Sequence, residues 1–317
     1  MSSAAHYSGK RVWVAGHNGM VGSALVRALE RSGCTLLTAS RSTLDLTRQS
    51  DVETWVNHHK PDVVFLAAAK VGGIHANRSL PADFAYQNIA LQTNIMNACF
   101  EARVDKLVFL GSACMYPRAA TQPMSENMLM TGPLEPTNEA YAVAKLSGLQ
   151  LCQAYRRQHG VDFITVLPTN AYGPHDNFDP ETSHVPAALM LKCHQAKTAG
   201  ADHVSIWGSG APLREFIHAD DMADAILHLG SCHTGDQPLN IGSGAEVSIK
   251  DLALTIADAA GFKGEFIFDT SKPDGSPRKL LDSSKLLATG WKPKYTLKTG
   301  MKHAYDWFLE NASEAKT

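Results

Sequence analysis

The 317-residue chain lacks any cysteine spacing that could build a metal cage, any apolar run long enough to span a bilayer, and almost any net charge. Its six cysteines (Cys34, Cys99, Cys114, Cys152, Cys193 and Cys232) stand apart without a C-x-x-C pair, which argues against a zinc site and against a disulfide framework. No metal is expected. A net charge of −2 gives no global attraction to nucleic acid or to an anionic membrane surface, so neither is expected as a partner and any anion must be held locally. The first ten residues contain no apolar signal segment, and a cytoplasmic location is the expectation. Internal repeats and low-complexity linkers are also missing.

What is present is a rhythm. Through the first half, short β-rich apolar runs alternate with amphipathic stretches, the pattern of an α/β fold whose parallel sheet is doubly wound by helices. Strands are predicted over 11–15, 35–39, 63–68, 106–111 and 162–167, and helices over 19–32, 49–59, 83–102 and 138–159. Several strands read as unbroken apolar runs, as expected for strands buried on both faces. After Pro168 the rhythm breaks, Pro and Gly become frequent, and short helices such as those predicted over 248–260 and 297–310 alternate with irregular segments. This suggests a nucleotide-binding domain over 1–170 and a smaller, mainly substrate-binding α/β domain over 171–317, with the segment 238–242 returning a strand to the main sheet.

Gly16, Gly19 and Gly22 follow the first predicted strand and open the first predicted helix, where backbone N–H groups and the helix dipole favour a pyrophosphate. The intervening residues, His17, Asn18, Met20 and Val21, belong to the same turn. After the second strand the chain reads Ser40-Arg41-Ser42, and a guanidinium there suits the 2′-phosphate of NADP better than the bare ribose of NAD. Tyr141 and Lys145 lie four residues apart on a predicted helix and share a face. An adjacent ammonium would stabilise a phenolate and draw the Tyr141 pKa below its usual ~10. Ser112 ends the apolar run that begins at Lys106, at the strand end where such folds place reactive groups.

Taken together, the glycine loop, Ser112 and the Tyr141/Lys145 pair resemble the extended short-chain dehydrogenase/reductase superfamily. Longer motifs narrow this to a likeness with the GDP-L-fucose synthases: Leu66 to Ile74, Gly111 to Pro117, Leu134 to Asn138, Pro168 to Phe178 and Trp207 to Phe216. The likeness runs from Arg11 to about Leu309. It implies epimerisation of GDP-4-keto-6-deoxy-D-mannose at C3 and C5, followed by NADPH-dependent reduction at C4. Tyr141 would be the general acid, Lys145 would lower its pKa and hold the nicotinamide ribose, and Ser112 would hydrogen-bond the C4 carbonyl. Cys114 and His184 would be the acid–base pair of the epimerisation, while His175 and Asp176 shape the loop.

For the cofactor, the resemblance adds Asp45, Leu46, Leu110, Gly111, Ala113, Pro168, Thr169, Asn170, Ala171 and His184 to the glycine loop, Arg41, Ser112, Tyr141 and Lys145. For the substrate it implies Asn170, Lys192, Trp207, Arg214, Asp274 and Lys279, with the three cations facing a diphosphate and Trp207 offering a flat apolar surface. Some relatives carry a basic residue where this chain has Asn18, which leaves more of the cofactor discrimination to Arg41. The resemblance also suggests a homodimer built on two helices per subunit. Three rivals stand beside this reading: a GDP-L-colitose synthase acting on a 3-deoxy sugar, a UDP-sugar 4-epimerase that recycles tightly held NAD and needs no Cys114/His184 pair, and a non-catalytic NADP-binding sensor that would need none of the five catalytic candidates.

Arg41→Ala is expected to weaken NADPH far more than NADH, because only NADPH carries the phosphate a guanidinium can clasp. Fluorescence titration of both cofactors checks this, and equal losses would make Arg41 structural.

Overall fold

The computed structural model describes residues 3–179, 182–272 and 274–311. The ends of the two expected domains and Pro273 of the Pro/Gly-rich run lie outside the described residues. The strands are β1 (Arg11–Ala15), β2 (Thr35–Leu37), β3 (Val63–Leu66), β4 (Lys106–Leu110), β5 (Phe163–Pro168), β6 (Asn170–Tyr172), β7 (His203–Trp207), β8 (Leu213–His218), β9 (Leu239–Ile241), β10 (Glu246–Ser248), β11 (Glu265–Asp269) and β12 (Arg278–Lys279). The helices are α1 (Met20–Leu29), α2 (Gln49–His59), α3 (Ile74–Ser79), α4 (Pro81–Glu101), α5 (Glu139–His159), α6 (Val185–Ala199), α7 (Ala219–Cys232), α8 (Ile249–Ala260), α9 (Ser284–Ala288) and α10 (Leu297–Glu310).

Six strands form one sheet in the order β2-β1-β3-β4-β5-β9, and every pair is parallel. The apolar runs Val63–Leu66 and Lys106–Leu110 are buried along their whole length, because helices cover both faces. On one face Leu25 and Leu29 of α1 and Ile226 and Leu229 of α7 pack with Val12, Val14 and Phe65. On the other, Val52 and Val56 of α2, Ile95 and Met96 of α4 and Cys152 of α5 meet Trp13, Val64 and Phe109. Alternate residues of each strand thus feed opposite cores.

A separate core gathers Leu189 and Cys193 of α6, Leu252 and Ile256 of α8 and Met301 and Phe308 of α10, around Val204 of β7 and Phe216 of β8. Here β8 is central, antiparallel to β10 and parallel to β12 and then to β6.

The predicted limits of β1, α2 and α10 coincide with the observed ones, while β2 ends at Leu37 and β3 at Leu66, short of the predicted Ala39 and Ala68. Two long helices were not foreseen. In α6 Pro186 stands in the first turn, where it costs no hydrogen bond and its fixed φ suits a helix. In α7 the His218 side chain accepts from the Asp220 N–H and caps the start.

Gly148 of α5 lies where a Cβ would come within 2.5 Å of the Phe109 ring. Alanine there would gain about 1 kcal/mol of helix propensity but overpack the α5–β4 contact at a cost of about 1–3 kcal/mol. Gly148→Ala is therefore expected to lower the urea midpoint, although it improves the local sequence as a helix.

Candidate active site

The C-terminal ends of the parallel strands carry the loops that a doubly wound sheet uses for ligands. After β1, Gly16 adopts φ +91, which a side chain would strain, and a Cβ there would meet the backbone of Ala67 and Ala68 beyond β3. At Gly22 a Cβ would collide with the Gly16 carbonyl. Both glycines are thus fixed by backbone approach. Gly19 is the N-cap of α1, with no side chain capping the first turn, so that end presents bare N–H groups. His17 has a buried Nδ1 with no partner. An orphan ring nitrogen beside free amides suits a pyrophosphate oxygen.

Arg41 is exposed beyond β2, and Asp45 accepts hydrogen bonds from Thr47 N–H and Oγ1, which hold its carboxyl below the usual range. The Leu46 carbonyl accepts from Asn94 and anchors this loop to α4. Beyond β4, Gly111 N–H donates to the Val166 carbonyl, and beyond β5, Thr169 N–H donates to that of Ile241. Leu110, Ala113, Pro168 and Ala171 complete these two strand ends, which face the same side of the sheet as the glycine loop.

Ser112 caps a single 3-10 turn, its Oγ accepting from Cys114 N–H at 3.2 Å. With a lone pair engaged, its O–H can point outward. The Ser112 side chain lies near enough to the Tyr141 phenol to favour its ionised form. Asn138, the residue before α5, donates Nδ2 to Cys114 Sγ at 3.1 Å, while its buried Oδ1 has no partner. The sequence marks Asn138 as the end of the Leu134 to Asn138 motif and the start of a predicted helix, but gives it no role at the site. Ser112, Cys114, Asn138 and Tyr141 are therefore one contact group at the end of β4.

The expectation that Lys145 lowers the Tyr141 pKa does not hold in this geometry. Lys145 Nζ donates to the Leu110 carbonyl at 2.8 Å and lies 6.0 Å from the Tyr141 ring centroid. Tyr141 keeps part of its surface open to the cleft, but most of the phenol is enclosed by protein, and that desolvation raises its pKa. Cys114 adds to the rise and the Ser112 side chain opposes it. Burial holds Lys145 down at about 7. Both groups are pushed toward their neutral forms.

His184 is the N-cap of α6 and reaches solvent, yet the mass of protein around the cleft lowers its pKa by desolvation. Its loop is anchored by Gly73 N–H donating to the Thr182 carbonyl. A Cβ on the adjacent Gly72 would lie 3.1 Å from Phe84, whose ring meets Tyr141 edge-on at 6.3 Å, so few layers separate the loop from the phenol. His175 packs on Trp307 and Asp176 is buried, where desolvation lifts its carboxyl to about 7.

The substrate candidates converge on the second core. Arg214 and Lys279 are register partners on β8 and β12, side by side on one face. Asn170 Nδ2 donates to the Glu215 carbonyl. Asp274 is engaged by Ser209, accepting from its N–H at 2.8 Å and its Oγ at 2.7 Å, so it pins the Trp207 turn. Trp207 is 71% exposed, and Lys192 reaches the Ser205 carbonyl on the same strand. Among the described residues one further group, His218, Asp220 and His303, offers metal-ligand atoms within 4.8 Å of one another. Its donors are already engaged, since His218 Nε2 and His303 Nδ1 bond each other at 3.0 Å and Asp220 pairs with Arg27.

Residues 12–242 match the NAD dependent epimerase/dehydratase family, and the chain belongs to it. Within the family it is 54% identical to GDP-L-fucose synthase 1 of Arabidopsis thaliana, over 95% of this chain and 94% of that protein. It is 36% identical to the GDP-L-colitose synthase of Yersinia pseudotuberculosis, over 94% and 98%. Among solved structures it resembles a GDP-L-fucose synthetase from Naegleria fowleri bound to NADP, with 31% identity, a TM-score of 0.91 and coverage of 97% and 95%.

The lowered Lys145 pKa carries a linkage consequence. Between pH about 7 and 10.5 the unfolded chain holds a proton on this lysine that the folded chain does not, so its contribution to stability rises with pH across that window and its cost is complete below it. The Tm difference between Lys145→Met and the parent should move in the variant's favour as pH falls from 10.5 to 7. Calorimetry across the window checks this, and a constant difference would contradict it.

Proposed function

We propose that this protein is an NADP-dependent GDP-L-fucose synthase, which inverts C3 and C5 of GDP-4-keto-6-deoxy-D-mannose and then reduces C4. The observation that carries the reading is the contact group of Ser112, Cys114, Asn138 and Tyr141, which supports two chemistries at one strand end. Relatives of this name at 54% identity against 36% for the colitose enzyme favour the fucose substrate. A non-catalytic sensor would have no use for that group.

In epimerisation, the C4 ketone acidifies the neighbouring C–H bonds. Cys114, as thiolate, takes the proton, and His184 returns one from the other face as an imidazolium, the form that burial makes scarcer but a stronger acid. The partnerless Oδ1 of Asn138 is an acceptor for a sugar hydroxyl while its Nδ2 steadies the sulfur. Bound NADPH supplies the hydride for C4. Ser112 donates to the C4 oxygen and Tyr141 gives it a proton, a transfer driven by the basicity of the alkoxide that hydride addition creates and opposed by the burial that holds the phenol proton more firmly. A phenolate forming there then favours the protonated form of Lys145, so the lysine acts on the product of the transfer.

His17, the bare N–H groups of α1, Arg41, Asp45 and Leu46 hold the adenosine and pyrophosphate part, and Leu110 to Ala113 with Pro168 to Ala171 border the nicotinamide. Arg214, Lys279 and Lys192 face the GDP diphosphate, with Trp207 against a ring. We read the chain as the two domains 1–170 and 171–317, a division supported by the separate cores and crossed by β9 and α7. A homodimer through α4 and α5 is supported by exposed Tyr86, Ile89 and Val143. Cytoplasmic residence follows from the substrate class. No helix among the described residues is long and apolar enough to cross a membrane.

Cys114→Ser separates the two stages. The parent should incorporate solvent deuterium at C3 and C5 in D₂O. The variant should incorporate far less yet still oxidise NADPH, giving a product that keeps the C3 and C5 configuration of the substrate, as read by NMR. Deuterium uptake at the parental rate removes Cys114 from the mechanism. Tyr141→Phe should instead lower reduction by ~100-fold with NADPH affinity intact.

A further inference from the structure

We infer that Glu215 is a positioning residue that fixes the Arg214/Lys279 pair at a set distance from the end of β5, where the cofactor's reactive ring is held. The inference rests on the reading of Arg214 and Lys279 as the diphosphate contacts.

Side chains alternate along β8, so Glu215 projects from the face opposite Arg214. It is fully buried, and its two carboxylate oxygens accept backbone N–H groups from different segments: Oε1 from Gly244 at 2.8 Å and Oε2 from Leu281 at 3.3 Å. Leu281 is two residues beyond Lys279 and Gly244 two residues before β10, so one side chain ties both neighbours of β8 from behind. Gly242 must be glycine here, because a Cβ would collide with the same carboxylate.

The neighbouring edge of β8 changes hands at this residue. Arg214 pairs with Lys279, and Phe216 pairs with Asn170. Between them the Glu215 carbonyl accepts from Asn170 Nδ2 at 3.0 Å, and Thr169 donates its N–H to Ile241 at the end of β9. Residue 215 therefore joins the cationic pair to the β5–β9 end of the parallel sheet. β12 has only two strand residues, and Glu215 shares its hold on this segment with Gln122 Oε1, which accepts from Leu280 N–H at 2.8 Å, and with Glu246, which takes the Arg278 guanidinium; of these only Glu215 also reaches the loop before β10.

Glutamine is the informative substitution, because its amide NH₂ would face a backbone N–H where a carboxylate oxygen now accepts, whereas aspartate keeps both acceptors on a shorter stem. In steady-state kinetics, Glu215→Gln should raise the KM for the GDP sugar by ~10-fold or more, a larger change than the fall in kcat, with NADPH affinity within ~2-fold of the parent. Glu215→Asp should recover part of that loss. Should the glutamine variant not fold, the aspartate variant decides, since its KM must exceed the parental value by ~3-fold. A lower Tm with parental KM in either folded variant overturns the inference. Arg214→Ala distinguishes the two levels of the argument: unchanged KM there refutes the diphosphate reading itself, whereas a raised KM for Arg214→Ala with a parental KM for Glu215→Gln refutes only the role of Glu215.

Discussion

The hydrogen bond from Lys145 Nζ to the Leu110 carbonyl fastens α5 to the last residue of β4, and most of the catalytic geometry hangs on it. The ammonium lies against the Phe109 ring, 4.8 Å from its centroid, in a pocket closed to water. Gly148 lets α5 approach that ring closely enough for the lysine to reach the strand. With α5 so placed, Tyr141 one turn earlier meets Ser112, and Asn138 at the helix start meets Cys114. Desolvation is the cost of the arrangement, and it falls on both titrating groups: the lysine loses its charge more readily and the tyrosine keeps its proton more firmly.

A second polar hub steadies the other side of the same loop. Tyr116, two residues past Cys114, donates its O–H to Asn240 Oδ1 at 2.6 Å, and Asn240 Nδ2 donates to the Met124 and Asp282 carbonyls. Asn240 N–H is taken by buried Glu126, which also pairs with Lys285 at 2.9 Å. Through Tyr116 the segment carrying Ser112 and Cys114 is thus tied to Asn240 of β9, which in turn binds the chain leading into α9. Every buried group in this hub has a partner, the condition under which such a network fixes geometry instead of weakening the core. Asn138 Oδ1, His17 Nδ1 and Ser183 Oγ are buried without partners, and all three belong to the loops around the cleft. Part of the unfilled hydrogen-bonding capacity of the described residues thus sits where a ligand would use it, while Trp13 Nε1, Gln92 Oε1 and Thr165 Oγ1 are partnerless within the strands and helices of the main sheet.

The parallel sheet was legible in the sequence, since its strands are nearly continuous apolar runs and its helices amphipathic. So was the glycine loop, whose spacing between β1 and α1 leaves little choice of backbone. Arg41, Ser112 and Tyr141 could be nominated because each stands at a strand end or on a helix face that local pattern locates, whereas Cys114 and His184 were nominated only by the family resemblance. Less was legible after Pro168, where frequent Pro and Gly break the pattern and the sequence reading contains neither α6, with its proline in the first turn, nor α7. Asn138 and Glu215 fall within recognised motifs, yet their roles are not legible there because each acts through partners distant in sequence, 24 residues away for Cys114 and 66 for Leu281.

What the sequence by itself determined is the set of elements, the anion-binding turn and the reactive side chains, because these follow from periodicity, glycine placement and residue chemistry within a few neighbouring positions. The tertiary structure decided which groups touch and what their protons do. A lysine four residues from a tyrosine promises a lowered phenol pKa in an exposed helix. Here packing turns the ammonium to the Leu110 carbonyl and strips water from the phenol, and desolvation outweighs the charge that sequence spacing alone would have put in control.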